Sequence, residues 1–331
     1  MQLTYLIGNG FDIKMGLKTR YCEFYKWYKD RPKPANLAVE TFRSSINSNH
    51  KLWADLEIAL GKYLKKISKN EDAIAIIRDV RDNLAEYILL QNNSFNIPTQ
   101  SENAEFMINF FNPSLPFRRA SRNKIDRYQI FKGANVHTNI LVFNYTCTLE
   151  KLIGWEGNEL HYSFILNSHQ YIKSVEHVHG YCDNRGRLAV GVDNPEQIEN
   201  DEFKKSRRII NHFVKSAYND TFELEHHYDG LKKISESDVI CCYGLSMGDS
   251  DKIWCQAIGK RMSNNSSCLL FIHFKRDMDL IGNLGPEYQE QIEEDKNIIL
   301  EKIGCENNEE ILDRIFVTYS DKIFNFRELN Q

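Results

Sequence analysis

The sequence lacks the features that define several protein classes. No two of its eight cysteines have the two-residue separation of a zinc knuckle, so we expect no structural zinc and no other metal. Nowhere do about 18 apolar residues follow one another, so no membrane-spanning helix is expected. The first residues, MQLTYLIGNG, show no basic stretch before an apolar run and no small-residue cleavage site. We therefore expect a cytoplasmic protein with no membrane partner.

An excess of charge of one sign is also missing. The 331 residues contain 42 lysines and arginines against 46 aspartates and glutamates, which gives a formal net charge of -4. A chain of this balance has no overall attraction to nucleic acid, so nucleic acid is not the expected partner. No proline- or glycine-rich linker, internal repeat or low-complexity tail divides the chain, which predicts one domain over residues 1–331.

What the sequence does contain is a series of short, β-rich runs, several of which end in small or polar residues. This layout is typical of an open parallel sheet. We therefore predict an α/β, Rossmann-like fold, with an open, mostly parallel sheet and helices on both faces. The predicted strands are Leu3–Ile7, Ile140–Phe143, Leu160–Ile165, Glu176–Val178, Leu188–Val192, Val239–Tyr243, Leu269–Phe274 and Arg314–Thr318.

A long connection separates the first two predicted strands. Apolar residues recur at intervals of three and four in WADLEIALGKYLKKI (53–67) and in DAIAIIRDVRDNLAEYILLQ (72–91), which indicates amphipathic helices. Residues 30–138 are too many for a simple crossover, so we predict a helical insertion or cap over one end of the sheet. Its basic segment PSLPFRRASRNK (113–124) is predicted to be an exposed loop, with a phosphate or nucleic-acid contact as the alternative.

The first predicted strand leads directly into a glycine turn, LTYLIGNGFD (3–12). Gly8, Asn9 and Gly10 precede a helix start, where glycines let a diphosphate approach backbone N–H groups at the positive end of the helix. We predict a nucleotide-phosphate cradle, with a purely structural turn as the alternative. The turn is not a P-loop, because no Gly-Lys-Ser/Thr follows. Ile13 stands where the dehydrogenase fingerprint has its third glycine, which argues against hydride transfer.

A second polar cluster follows the strand in NILVFNYT (139–146). Asn144, Tyr145 and Thr146 lie at the predicted strand end, where an asparagine amide can orient a ribose hydroxyl or a water because it offers both a donor and an acceptor. The alternative is that Asn144 or Thr146 caps the next helix.

A third cluster is VEHVHG (175–180). His177 and His179 are two residues apart, hence predicted on the same face of a strand, and Gly180 leaves room for a ligand beside them. One histidine acting as a general base is the favoured interpretation, and a hydrogen-bonded structural pair is the alternative. Spacing implies no third ligand that would make the pair a metal site.

A fourth cluster ends the buried run DVICCYGLSMGDSD (238–251). Ser246, beside Gly244, is the candidate ligand contact, whereas Asp249 or Ser250 is expected to be the N-cap of the next helix. All four clusters follow predicted strands, and open α/β sheets bind ligands beyond the carboxyl ends of their strands. The sequence therefore predicts one ligand site made by four loops.

Taken in order, these segments resemble the AbiH family of bacterial abortive-infection proteins. GNGFD, FNYT, HVHG and YGLSMGDSD follow the family's pattern, and WADLE (53–57) is similar to its tryptophan-acidic helix motif. The resemblance implies a role in anti-phage defence and a phage-derived trigger.

AbiH proteins in turn resemble the sirtuin-like NAD-binding fold. The resemblance implies that Asn144 is the ribose-site asparagine and His179 the base before a glycine; His177 has no sirtuin counterpart. We assign nucleotide contacts to all four loops, namely Gly8, Asn9, Gly10, Phe11, Asp12, Tyr145, Thr146, His177, Gly180, Gly244, Ser246 and Asp249. The four-cysteine zinc module of sirtuin deacylases is absent, so lysine deacylation is disfavoured.

The resulting hypothesis is hydrolysis of the nicotinamide glycosidic bond of NAD. Asn144 would position the ribose or the attacking water, and His179, with an ordinary pKa of about 6.5, would accept a proton. Asp12 and Asp249 would either stabilise positive charge or cap helices. The alternatives are a non-catalytic sensor that binds NAD or ADP-ribose, and a toxin that acts on RNA or another nucleotide. We expect NAD as substrate or ligand, and a homo-oligomer.

Overall fold

A computed structural model describes residues 1–48, 53, 55–96, 106–131, 135–165, 168–180, 188–222, 226–273 and 285–319. Phe274, the last residue of one predicted strand, lies outside these ranges. Among the described residues, no helix is long and apolar enough to cross a membrane.

Within these ranges, seven strands form one sheet. They are β1 (Gln2–Ile7), β2 (Val136–Val142), β3 (Leu160–Ile165), β4 (Ser168–His177), β5 (Val239–Tyr243), β6 (Leu269–His273) and β7 (Ile315–Thr318). Their order is β3, β4, β2, β1, β5, β6, β7, and every pairing is parallel except that of β3 with β4. The prediction of an α/β fold with a mostly parallel sheet is confirmed.

The central strand β1 determines where the loops meet. Its last residue, Ile7, is level with Val142 of β2 and with Tyr243 of β5. The chain leaves β1 toward β2 on one side, and it leaves β5 toward β6 on the other, so the strand order reverses between β1 and β5. Open α/β sheets bind ligands in the crevice at such a reversal. Gly8 and Gly244, which follow β1 and β5, lie at this edge.

Helices cover the sheet and its connections. The α-helices considered below are α1 (Gly10–Lys14), α2 (Tyr21–Lys29), α3 (Leu37–Ser48), α4 (Leu56–Tyr63), α5 (Asn70–Ser94), α6 (Arg119–Arg127), α7 (Thr148–Ile153), α8 (Arg207–Phe213), α9 (Lys215–Asp220), α10 (His226–Glu236), α11 (Lys252–Asn264), α12 (Pro286–Lys302) and α13 (Glu309–Leu312).

Both faces of the sheet are packed against helices. On one face, Tyr5 of β1 belongs to the same buried cluster as Leu149 of α7. On the other face, Leu6 belongs to the cluster that contains Trp254 of α11. Successive residues of β1 alternate between the two clusters because side chains of a strand point to opposite faces in turn. This confirms the prediction of helices on both faces.

The helices α2 to α5 of the β1–β2 connection share a third buried core with α8. It includes Phe24, Trp53 and Leu84, and it also takes in the apolar run Leu188–Val192. That run is buried but is not a strand of the sheet; Val192 makes an isolated bridge with Val214. The predicted strand is therefore wrong, because a short apolar run fits any buried extended segment. The division into one domain with a cap at 30–138 stays a prediction.

The basic segment 113–124 was predicted to be a loop, and this is wrong from Arg119 onward, where α6 begins. Arginine and lysine are good helix formers, so the high charge of the segment does not disfavour a helix. Two of its cations contact the protein itself. The Arg118 guanidinium lies 3.3 Å from the centre of the Tyr288 ring, and Lys124 forms an ion pair with Asp313 at 2.8 Å. The alternative of a phosphate or nucleic-acid contact is not tested by these contacts and stays a prediction.

Candidate active site

The turn after β1 contacts the turn after β5. A Cβ on Gly8 would lie 2.5 Å from the carbonyl oxygen of Gly244, and a Cβ on Gly10 would lie 2.5 Å from the Gly244 Cα. The N–H of Gly8 donates to the carbonyl of Tyr243 and the N–H of Gly10 to that of Gly244, both at 2.9 Å. The glycines let two loops touch. These two N–H groups therefore donate within the protein, and a contact of Gly8 or Gly10 with a nucleotide stays a prediction.

The neighbouring residues of this turn also contact the protein. Asn9 donates from Nδ2 to the carbonyl of Thr19 at 2.9 Å and accepts from the Thr19 hydroxyl at 2.5 Å. Phe11 is fully buried and packs edge-on against Tyr243, with the ring centres 6.4 Å apart. Asn9 therefore binds Thr19, and Phe11 packs against Tyr243. A contact of either residue with a nucleotide stays a prediction.

Asp12 joins α1 to the loop after β2. Its carboxylate is 1 % exposed and accepts a hydrogen bond from the Thr146 hydroxyl at 2.7 Å. Burial raises the pKa of Asp12 to about 7, although the neighbouring Thr146 and Asn144 side chains lower it. Asn9, and not Asp12, is the N-cap residue of α1, so the capping alternative for Asp12 is wrong.

The Asn144 side chain lies beside Asp12. This side chain is 5 % exposed, and its Oδ1 has no hydrogen-bond partner among the described residues. A buried amide oxygen without a partner costs free energy unless a ligand or water supplies a donor. Neither Asn144 nor Thr146 caps α7, whose N-cap residue is Cys147, so the capping alternative is wrong here too.

His177 contacts the backbone of Asn144. Its Nδ1 is 2.9 Å from the Asn144 carbonyl oxygen, and its Nε2 contacts Oε1 of Glu150. Burial lowers the pKa of His177, but the Glu150 carboxylate, the Asn144 carbonyl and the Asp12 carboxylate together hold it above its ordinary value. His177 thus holds the backbone after β2 against the end of β4.

His179 belongs to a different cluster. β4 ends at His177, and the chain turns at Gly180, which has a φ of +73° that favours glycine. The Nε2 of His179 lies 3.2 Å from Oδ1 of Asp251, and its ring packs edge-on against Phe143 at 5.5 Å. The prediction that both histidines share a face is wrong, because side chains alternate only as far as the strand continues.

Lys215, at the start of α9, is the centre of this group of side chains. We call Lys215, Glu57, Asp251 and His179 the Lys215 cluster. The side chain is buried, and its ammonium donates to Oε2 of Glu57 at 3.1 Å, to Oδ1 of Asp251 at 3.2 Å and to the carbonyl of Ser250 at 2.5 Å. The Tyr145 hydroxyl donates to Oε1 of Glu57 at 3.3 Å. One buried cation therefore links α4, α9 and the loop after β5, and Tyr145 adds the loop after β2.

These neighbours shift each other's charge states. Burial lowers the pKa of Lys215, but Asp251, Glu57 and Asp193 together hold it above its ordinary value. Burial raises the pKa of Asp251, but Lys215 and His179 together hold it below its ordinary value. Burial raises the pKa of Glu57 to about 7 despite Lys215. Burial and the Lys215 charge lower the pKa of His179 to about 4, below the ordinary value expected from sequence. At neutral pH, His179 is therefore a neutral imidazole.

The loop after β5 differs from prediction in its capping. Residues 249–251 form a 3-10 turn, and the N-cap residue of α11 is Asp251, whose side chain makes no capping hydrogen bond. The predicted cap at Asp249 or Ser250 is therefore wrong. Ser246 and Asp249 are exposed. Their contacts with a nucleotide stay predictions.

Sequence reasoning assigned no role to three residues of the Lys215 cluster, namely Glu57, Lys215 and Asp251. Glu57 lies in WADLE and Asp251 in the last positions of YGLSMGDSD, so a motif marked each of them. Lys215 lies in no motif that we identified. Only the fold brings its ammonium to the two carboxylates.

A family model described as "Bacteriophage abortive infection AbiH" matches residues 4–273. The match covers well over half of the chain and includes Asp12, Asn144, His177 and the Lys215 cluster. A search of curated proteins found no match.

Proposed function

We propose a reaction for this protein from one premise: the chain belongs to the AbiH family of bacteriophage abortive infection proteins. The family indicates a role in phage abortive infection. The reaction that we propose for this role is hydrolysis of the bond between nicotinamide and ribose in NAD, in a sirtuin-like site.

The observation that carries the proposal is the buried amide of Asn144 at the carboxyl edge of β2. Its Oδ1 has no partner among the described residues, and the Asp12 carboxylate lies beside it. The amide follows a strand next to β1, near the reversal of strand order where open α/β sheets hold ligands. A sugar hydroxyl can donate to Oδ1 and so satisfy it.

The chemistry requires little beyond orientation and charge. Water adds its oxygen to the ribose carbon that bears nicotinamide, the carbon–nitrogen bond breaks, and nicotinamide leaves as a neutral molecule with the electron pair. The water proton passes to a base. Positive charge grows on the ribose during this step, and a fixed carboxylate beside it lowers the barrier. Asp12 is that carboxylate in the proposal.

His179 is the proton acceptor in the proposal. Its Nε2 lies 3.2 Å from Oδ1 of Asp251 and 3.5 Å from the Lys215 ammonium. In the proposed tautomer, Nε2 donates to Asp251, which leaves Nδ1 as the basic nitrogen. Nδ1 has no hydrogen-bond partner among the described residues. A carboxylate that orients an imidazole in this way is a recurring arrangement for general bases. Asp251 is then a positioning residue, because it acts through His179.

The test is incubation of the pure protein with NAD and quantification of nicotinamide and ADP-ribose. We expect equal amounts of both products and a loss of at least about 100-fold in rate for His179→Gln and for Asn144→Ala. Two exposed residues provide matched controls, His161→Gln and Asn297→Ala, which should keep the wild-type rate. Equal rates in Asn144→Ala and Asn297→Ala would contradict the assignment of the site.

A binding role without turnover is the second candidate, because Asn144 and His179 are each only 5 % exposed. A buried site that a ligand must open is suited to sensing as well as to catalysis. Binding of NAD that Asn144→Ala abolishes, with no nicotinamide released, would favour the sensor.

A further inference from the structure

The loop and helix after β2 bring a sulfur, a carboxylate and an imidazole together next to the end of β4. One ligand atom from each of Cys147, Glu150 and His177 lies within 4.8 Å of the other two. We propose that these three residues bind one divalent metal ion of the zinc type. None of the three has a catalytic role in the proposed NAD reaction, so the metal proposal stands apart from it.

Local structure explains why two of the ligands face the same point. Cys147 is the N-cap residue of α7, and Glu150 lies three positions later in its first turn. Residues three apart on a helix lie on the same side of it. His177 is the last residue of β4, which pairs with β2 in parallel and so ends beside the start of α7. The site therefore closes the β2–α7 turn against β4.

The hydrogen bond on the far side of the imidazole is the second observation. The Nδ1 of His177 lies 2.9 Å from the Asn144 carbonyl, which can only accept, so Nδ1 carries a hydrogen. Nε2 is then the nitrogen that faces Glu150. A lone pair facing a carboxylate requires a cation between them, which is either a proton or a metal ion. Metal-binding histidines nearly always donate their other N–H to a carbonyl or carboxylate, as His177 does.

Two further features favour the metal over the proton. The second carboxylate oxygen of Glu150, Oε2, is buried and has no partner among the described residues. A proton can bridge only His177 and Glu150, whereas a metal ion can bind one ligand atom from each of the three side chains. The ligand atoms of a tetrahedral zinc site are about 3–4 Å from one another. Small side-chain rotations would therefore bring these three ligand atoms to the distances that zinc requires.

The ligand types select the metal. A thiolate and an imidazole suit zinc and other late transition metals, whereas magnesium and calcium prefer oxygen alone. Three protein ligands leave a fourth position for water. Through His177, the metal would fix the Asn144 carbonyl and hence the backbone from which the Asn144 side chain extends.

The test uses cobalt as a spectroscopic substitute for zinc. We expect the metal-free protein to bind one equivalent of Co²⁺ with a thiolate-to-cobalt charge-transfer absorption, and zinc to displace it. Cys147→Ser should lose the absorption and still fold, because serine is favoured at a helix N-cap. Cys22→Ser, at an exposed free cysteine, is the matched control and should keep the absorption.

His177→Gln should weaken Co²⁺ binding by more than the roughly 10- to 100-fold that loss of an outer-shell partner costs. The absence of a charge-transfer absorption in the wild-type protein would overturn the proposal and leave a proton between His177 and Glu150. An absorption that persists in Cys147→Ser would also overturn it. Neither result depends on whether the protein hydrolyses NAD.

Discussion

Replacement of Lys215 by methionine should be among the most destabilising single changes at the site. The ammonium is 4 % exposed and donates to Glu57, Asp251 and the Ser250 carbonyl at 2.5–3.2 Å. Methionine keeps the length of the side chain and removes its charge, so two buried carboxyl groups lose their cation. Loss of one partner of a buried ion pair costs about 3–5 kcal/mol.

The two carboxyl groups should respond differently to the loss of Lys215. Glu57 has a pKa of about 7 and can take up a proton easily, whereas the pKa of Asp251 is held low by Lys215. Most of the cost should therefore come from Asp251. The double variant Lys215→Met/Asp251→Asn should recover more stability than Lys215→Met/Glu57→Gln, because the amide removes the stranded charge.

The assay is urea unfolding followed by circular dichroism at pH 7, with the free energy of unfolding taken by linear extrapolation. Lys296→Met is the matched control, since Lys296 is also buried but pairs with the exposed Glu293 at 3.4 Å. It should lose less than about 1 kcal/mol. A loss for Lys215→Met no larger than that of Lys296→Met would refute the reasoning, as would equal rescue by the two double variants.

Two further predictions concern Glu57 and the glycine contact. The pKa of Glu57 in the folded state is about 7, above its ordinary value. Between these two pH values the folded state binds more protons than the unfolded state, so the contribution of Glu57 to the free energy of unfolding falls as pH rises toward 7. The difference in unfolding free energy between wild type and Glu57→Gln should therefore change between pH 5 and pH 8, and a constant difference would contradict it. Gly8→Ala should lower stability by about 2–3 kcal/mol through its clash with Gly244, measured by thermal unfolding. Gly248→Ala, whose Cβ would meet nothing closer than 3.5 Å, should cost far less, and equal losses would contradict the close contact.

The central strands could be predicted from sequence because strands buried on both faces are continuous apolar runs. Val239–Tyr243 was predicted with the bounds that the structure shows, and β1 and β7 to within one residue. Leu188–Val192 has the same composition but packs against the helical core, and composition alone cannot distinguish the two settings.

The loops of the candidate site could be predicted only in part. Strand ends located Asn144 and Asp12 at one edge, since parallel strands place their carboxyl ends together. The separation of His177 from His179 depends on where β4 ends, which alternation does not reveal. Lys215 comes from a helix far along the chain from its partners, and no local pattern marks a residue that acts through such contacts. Likewise, Cys147 and Glu150 gain their third neighbour, His177, only through the pairing of β2 with β4.

The most direct test of the account is the NAD content of phage-infected bacterial cells that carry this protein or its Asn144→Ala variant. NAD and ADP-ribose would be quantified through one infection cycle, together with phage yield, in cells with matched protein levels. The account predicts that NAD falls, ADP-ribose rises and phage yield drops with the wild-type protein, and that all three effects disappear with Asn144→Ala. Protection from phage with an unchanged NAD level would contradict it.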